Sequence, residues 1–172
     1  MEHPKLTNNM AFYQIVQIIT VLLTGLAAGL FYSYACSVTG GLGKLADREY
    51  LMAFQSIDSA IMNAWFFTSF MGSLVALPLA TLLSYYGGVN SSFWLLLSAT
   101  ALYVVGVFGV TMAGNVPLNN MLKNVNMGTA SSQELLSLRE RFEASWNNLN
   151  LIRTVAAVIS FLLAILSVLK MK

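Results

Sequence analysis

The stretch "SWNNLNLIRTVAAVISFLLAILSVLK", Ser145–Lys170, decides the fold class. From Thr154 onward it is almost pure hydrocarbon, a run slightly short of the roughly 20 apolar residues that cross a bilayer. Its opening is of another kind, with an indole, three amides and a guanidinium at Trp146, Asn147, Asn148, Asn150 and Arg153. The same separation of charge from hydrocarbon recurs along the chain. No charged residue lies between Lys5 and Lys44, a gap that holds one spanning helix, or between Asp58 and Lys123, a gap that holds two. The 172 residues are 57% hydrophobic and 9% charged, against roughly 25% charged in soluble domains. The chain is therefore an all-α membrane protein with four spans.

Working outward, helix 1 is expected over Met10–Cys36, too long for a signal-peptide core and without a clear cleavage site. The glycine-bearing linker "SVTGGLGKLAD" follows, with Asp47 as N-cap and Glu49 in the first turn of helix 2. Helix 2 reads as continuous to Tyr86, with Pro78 a tolerated kink. Its roughly 40 residues make about 60 Å, so it projects beyond the bilayer. "YYGGVNSS" is a tight turn. Helix 3 is expected over Phe93–Ala113, followed by the loop "GNVPLNNMLKNVNMGTASS". Ser131 and Glu134 have capping-box spacing, and helix 4 runs from Ser132 to Lys170. Helices 2 and 4 thus overhang on one side and both termini lie on the other. This describes a single domain, 1–172, an up-down-up-down four-helix bundle with a small helical cap. A multi-pass protein of a bacterial cytoplasmic membrane is expected. The overhang carries more Lys and Arg, which favours the cap inside, but Arg139 and Arg141 alternate with Glu140 and Glu143, so the orientation stays open.

Composition also excludes functions. One cysteine, Cys36, allows no internal disulfide. One histidine, His3, in the terminal segment, allows no His-rich metal site or bis-His haem. There is no basic stripe for nucleic acid, and no charged ring crosses the membrane as a channel would require.

Counting turns from the terminal side places the strongest polar groups of all four helices at one height, about 30 to 35 Å up. These are Tyr32 to Tyr34 on helix 1, Asn63 on helix 2, Asn115 after helix 3, and Asn147 and Asn150 on helix 4. Trp146, Asn150 and Arg153 share one helix face, and Gln55, Asp58, Met62 and Trp65 form a similar stripe. Converging under the cap, they would form a concave site of the kind small molecules use. Each residue also has a simpler reading. Arg153 snorkels to headgroups or faces the pocket. Asn63 and Asn115 cap turns. Asp58 pairs with a cap arginine or faces water.

The stretches "AAGLFYSYACSV", "GGLGKLADREYLMAFQSID", "GNVPLNNML" and "FEASWNNLNLIRT" resemble the anthrone-oxygenase-like integral membrane family over nearly the whole chain. The resemblance implies oxidation of a hydrophobic, anthrone- or hydroquinone-like aromatic by dioxygen, with no metal or flavin. It marks Asn115, Pro117, Asn119, Trp146, Asn147, Asn150 and Arg153. In that chemistry Arg153, with Asn147 or Asn150, holds an oxyanion. Trp146, Tyr34, Tyr32, Asn63, Asn115, Asn119 and Asp58 bind the substrate, Asp58 being the one acid near the pocket. Expected partners are the lipid bilayer, a lipophilic small molecule and a second copy of the chain. The alternative is a non-enzymatic protein that binds or moves a lipophile, or a membrane subunit.

Overall fold

The structure, a computed structural model, describes residues 4–170; His3 lies outside them. Helix α1 (Pro4–Ser33) continues through a π-wound turn, Tyr34–Val38, into a final turn, Thr39–Leu42. Helix α2 is Asp47–Ile61 and α3 is Ala64–Tyr86. Helix α4 begins as Ser91–Ala101, passes through π-wound stretches at Leu102–Gly109 and Thr111–Asn115, and ends as Val116–Lys123. Helix α5 is Ser132–Leu169. Four segments are long and apolar enough to span: Met10–Leu42, Ala64–Tyr86, Ser91–Lys123 and Ser132–Leu169. The protein is an all-helical, multi-pass membrane bundle, as the charge gaps require.

The spans form a closed ring in which α1 packs on α3 and α5, and α4 packs on α3 and α5. Each of the four seams carries a hydroxyl that donates to a backbone carbonyl across it. Thr20 donates to Ala76 (3.2 Å), Thr154 to Phe31 (3.1 Å), Ser160 to Ala99 (2.9 Å) and Tyr103 to Phe70 (3.0 Å). Small residues let the backbones come this close: Ala27, Ala28, Ala99, Ala156 and Ala157 are buried in the seam core. A Cβ on Gly106 would stand 2.7 Å from that of Ala156. At the terminal end, Ser92 lies 3.4 Å from the Tyr13 hydroxyl and donates to the Ser167 carbonyl at 3.1 Å. The start of α1 and the end of α5 therefore share that end.

Exposed aromatics mark the two interfaces. Trp94, Tyr85 and Tyr86 are exposed at the terminal end, and Trp65 and Tyr32 at the cap end. Trp65 to Tyr86 along α3 is about 30 Å, the thickness of the hydrocarbon layer, and such rings favour headgroup level.

Four expectations need correction. Helix 2 is not continuous. The chain leaves helical geometry at Met62 and Asn63, and Asn63 restarts α3 as its N-cap, accepting from the Phe66 amide at 3.1 Å. The "GNVPLNNML" loop is helix. Pro117 lacks an N–H and its ring presses on the carbonyl four residues back, and the π-wound turn Thr111–Asn115 just before it widens the helix there. Helix 1 passes Cys36 and reaches Leu42. Ala46, not Asp47, is the N-cap of α2, with Glu49 accepting from its amide (3.3 Å). Asp47 instead meets Arg139 at 3.0 Å. The Ser131–Glu134 capping box forms as expected.

The break at Met62 lets α2 fold over the end of the bundle. There α2, the end of α4 and the first turns of α5 enclose a second core of Tyr50, Leu51, Phe54, Leu122, Leu135, Leu138, Phe142 and Trp146. Burial pushes the Tyr50 phenol up from its ordinary pKa. Arg48 donates to the carbonyls of Met127 and Ala130, and Arg139 to those of Gly43 and Leu45, which ties the connecting loops to this cap.

Candidate substrate-binding site

A cavity of about 150 Å³ lies where the cap meets the bundle. Leu30, Phe31 and Tyr34 of α1 line it, with Phe54, Asp58 and Ile61 of α2, and Phe66, Phe67, Phe70 and Met71 of α3. Thr111, Met112, Asn115, Val116 and Asn119 of α4 and Trp146, Asn150 and Arg153 of α5 complete it. Most of this wall is apolar, and the polar groups are few.

Arg153 faces the cavity and not the headgroups, at 6% exposure. Nη2 donates to Asn150 Oδ1 (2.9 Å) and Nη1 to Thr111 Oγ1 (3.3 Å). The guanidinium carbon lies 4.7 Å from the Phe31 ring centroid and 5.3 Å from that of Trp146. Among the described residues no carboxylate pairs with it. Amide, hydroxyl and ring faces stabilise a cation only partially; cation–π contact gives up to about 2 kcal/mol when desolvated. A buried charge without a counter-ion is costly, so the site favours an anion.

Hydrogen-bonding capacity is also left over. Asn115 is 1% exposed, and neither atom of its amide has a partner. Asn150 Nδ2 and Arg153 Nε are buried and unpartnered too. Buried polar groups are satisfied in the great majority of cases. Three donors and one acceptor held open around one small cavity are the pattern expected where a ligand oxygen completes the set.

Above them a chain of contacts reaches the surface. Trp146 Nε1 donates to Asn119 Oδ1 at 2.8 Å, and Asn119 Nδ2 donates to Asp58 Oδ1 at 2.6 Å. Lys123 Nζ stands 3.0 Å from Asp58 Oδ2, an ion pair without hydrogen-bond alignment. Asp58 is 8% exposed, whereas Lys123 is 45% exposed. Asp58 thus pairs with a lysine of α4, neither with a cap arginine nor with water alone. Asn119, held at both ends, fixes the indole that shares Arg153 with Phe31.

Of the residues singled out from sequence, the cavity brings together Tyr34, Asp58, Asn115, Asn119, Trp146, Asn150 and Arg153. Three lie elsewhere. Tyr32 is exposed on the outer face. Asn63 is an exposed cap of α3. Asn147 is half-buried beside the cavity and does not line it, though its Oδ1 is buried without a partner. Half of the stripe holds: Asp58 and Met62 line the cavity, whereas Gln55 donates to the Leu122 and Val125 carbonyls and Trp65, beyond the helix break, faces outward. Sequence reasoning missed Thr111 and the phenylalanines. Thr111 stands four residues before Asn115 in α4, a spacing that signals a shared face.

A family model described as Anthrone oxygenase matches residues 64–163. Searches of curated proteins and of solved structures each found no match. The matched stretch takes in Asn115, Asn119, Trp146, Asn150 and Arg153, five of the seven predicted residues that meet at the cavity. It extends over more than half of the chain, which therefore belongs to the anthrone oxygenase family.

Proposed function

We propose that the protein oxidises a hydrophobic aromatic substrate with dioxygen, the substrate reacting as a phenolate or enolate held in this cavity. The observation that carries the reading is Arg153, a buried cation with no counter-ion beside unpartnered Asn115 and Asn150 amides. Asp58 is the one carboxylate in the lining. It takes the proton from the substrate, and the electron pair stays on the substrate oxygen against Arg153. Lys123, half in water, offers that proton a way out. The electron-rich anion then reduces dioxygen directly. For an anthrone-type methylene, the methylene and dioxygen together give a ketone and water. In this reading dioxygen is the co-substrate and no protein-bound metal takes part. Preorganised donors act strongly in such a water-poor site; losing one costs about 100- to 1,000-fold in rate.

The test is dioxygen consumption by the purified protein in lipid nanodiscs, across a panel of anthrones and hydroquinones. Arg153→Leu is expected to slow turnover by at least about 100-fold. A folded Arg153→Leu protein that turns over at the wild-type rate would sink the assignment. Tight binding of the panel without dioxygen uptake would favour the non-catalytic reading, a carrier or binding subunit.

A further inference from the structure

The cavity is closed above by the cap and open to the side. Four lining residues, Met62, Phe67, Met71 and Met112, are 38% to 55% exposed on the outer surface of the bundle. They sit where α3 and α4 separate. These helices pack along their terminal halves, and their contact fades toward Thr111–Asn115. Met71 is six residues along α3 from the interfacial Trp65, about 9 Å deeper at 1.5 Å per residue. The mouth therefore opens into hydrocarbon, on the cap-side leaflet. Its rim carries three methionines, flexible side chains that repack around varied apolar shapes.

Size then narrows the occupant. An enclosed cavity of about 150 Å³ is the size that accepts a single benzene ring, and this cavity measures about 150 Å³. One ring fills it, and whatever exceeds one ring, the further rings of an anthrone included, must leave through the methionine rim. We infer that the preferred ligand is a single-ring phenol or quinol with a hydrocarbon tail. The oxygenated ring sits against Arg153 and Asn115, and the tail passes between Met71 and Met112 into the bilayer. This rests on the anion-binding reading of the cavity and goes beyond it by naming the shape of the ligand.

The probe is a decyl-hydroquinone with a photoreactive diazirine near the ring end of the tail, used without dioxygen on the protein in liposomes. Labelling is expected on Met71 and Met112, and to disappear in Arg153→Leu. Equal labelling of Leu22 and Leu162, exposed on α1 and α5 away from the mouth, would overturn the inference. In parallel, Met112→Trp narrows the mouth at an exposed position. It is expected to weaken the decyl probe at least about tenfold more than a methyl-hydroquinone of the same ring, with affinities referred to bilayer concentration. Met71→Trp is the second variant should the first not fold. Equal loss of both ligands in the folded variant would also overturn it. Oxygen uptake is not read in either experiment. A labelled but inactive protein would count against the oxidation reading and leave the tail in place.

Discussion

The cap and the membrane bundle are built from one chain by opposite rules. The cap core is made of large side chains: Phe142 is fully buried with Phe54 edge-on at 4.6 Å, and Trp146 stacks on it at 6.4 Å. The buried positions of the bundle are largely alanine, serine and threonine, with a hydroxyl clamp on every seam. The difference follows from the solvent. Water expels the cap's aromatic surface. Lipid has no preference between a leucine and its own tails, so spanning helices associate by close approach and hydrogen bonds. The cavity lies on the boundary, with aromatic walls from both sides, Phe54 and Trp146 of the cap and Phe31, Phe66 and Phe70 of the bundle, and with Arg153 and Asn150 as anchors.

The largest effect is expected from Phe142→Ala, which removes the centre of the cap and costs about 3 to 5 kcal/mol. Hydrogen exchange should show α2 opening while the four spans stay protected; equal loss in both regions would mean that cap and bundle unfold as one. Gly106→Ala tests the other rule. Its new methyl meets Ala156 at 2.7 Å, so about 1 to 3 kcal/mol is lost by overpacking in reversible unfolding from bicelles. Ala156→Gly added to it should restore part of the loss. Asn63→Ala removes the cap of α3 and costs about 1 kcal/mol, read as faster amide exchange at Phe66 and Phe67. Ser160→Ala deletes one seam clamp. In membranes such bonds average about 0.6 kcal/mol, and a loss as large as that of Phe142→Ala would break the contrast.

The sequence shows the bundle half of this contrast more plainly than the cap. Charge gaps and capping residues mark four spans, because a charge inside hydrocarbon is costly whatever the fold. The break at Met62 and Asn63 is silent, since Asn63 sits in an otherwise unbroken helical pattern with no glycine or proline beside it. Conversely "GNVPLNNML" carries three breakers and is helical, because π winding accommodates Pro117. Counting heights along regular helices gathers Tyr34, Asn115 and Asn150, whereas Arg153 enters through the face it shares with Trp146 and Asn150 and stays open between pocket and headgroups. The count misassigns Tyr32 and Asn63, because height alone does not say which way a side chain faces. The aromatic walls carry no signal of their own in so apolar a sequence, and Thr111 carries only its four-residue spacing from Asn115.

The π-wound turns at Tyr34–Val38 and Thr111–Asn115 hold four cavity residues, Tyr34, Thr111, Met112 and Asn115. A π turn accommodates about one residue more than the α turn it replaces. It therefore works as a phase shifter: residues on either side keep the bundle register, while those within it are rotated to a bearing that regular winding would not give them. Deleting a single residue such as Val110 would return the helix to ordinary pitch, preserve every span, and swing Asn115 off its bearing. In this architecture a one-codon insertion or deletion is a rotation, and re-aiming a side chain at a new ligand need not change any amino acid in the site.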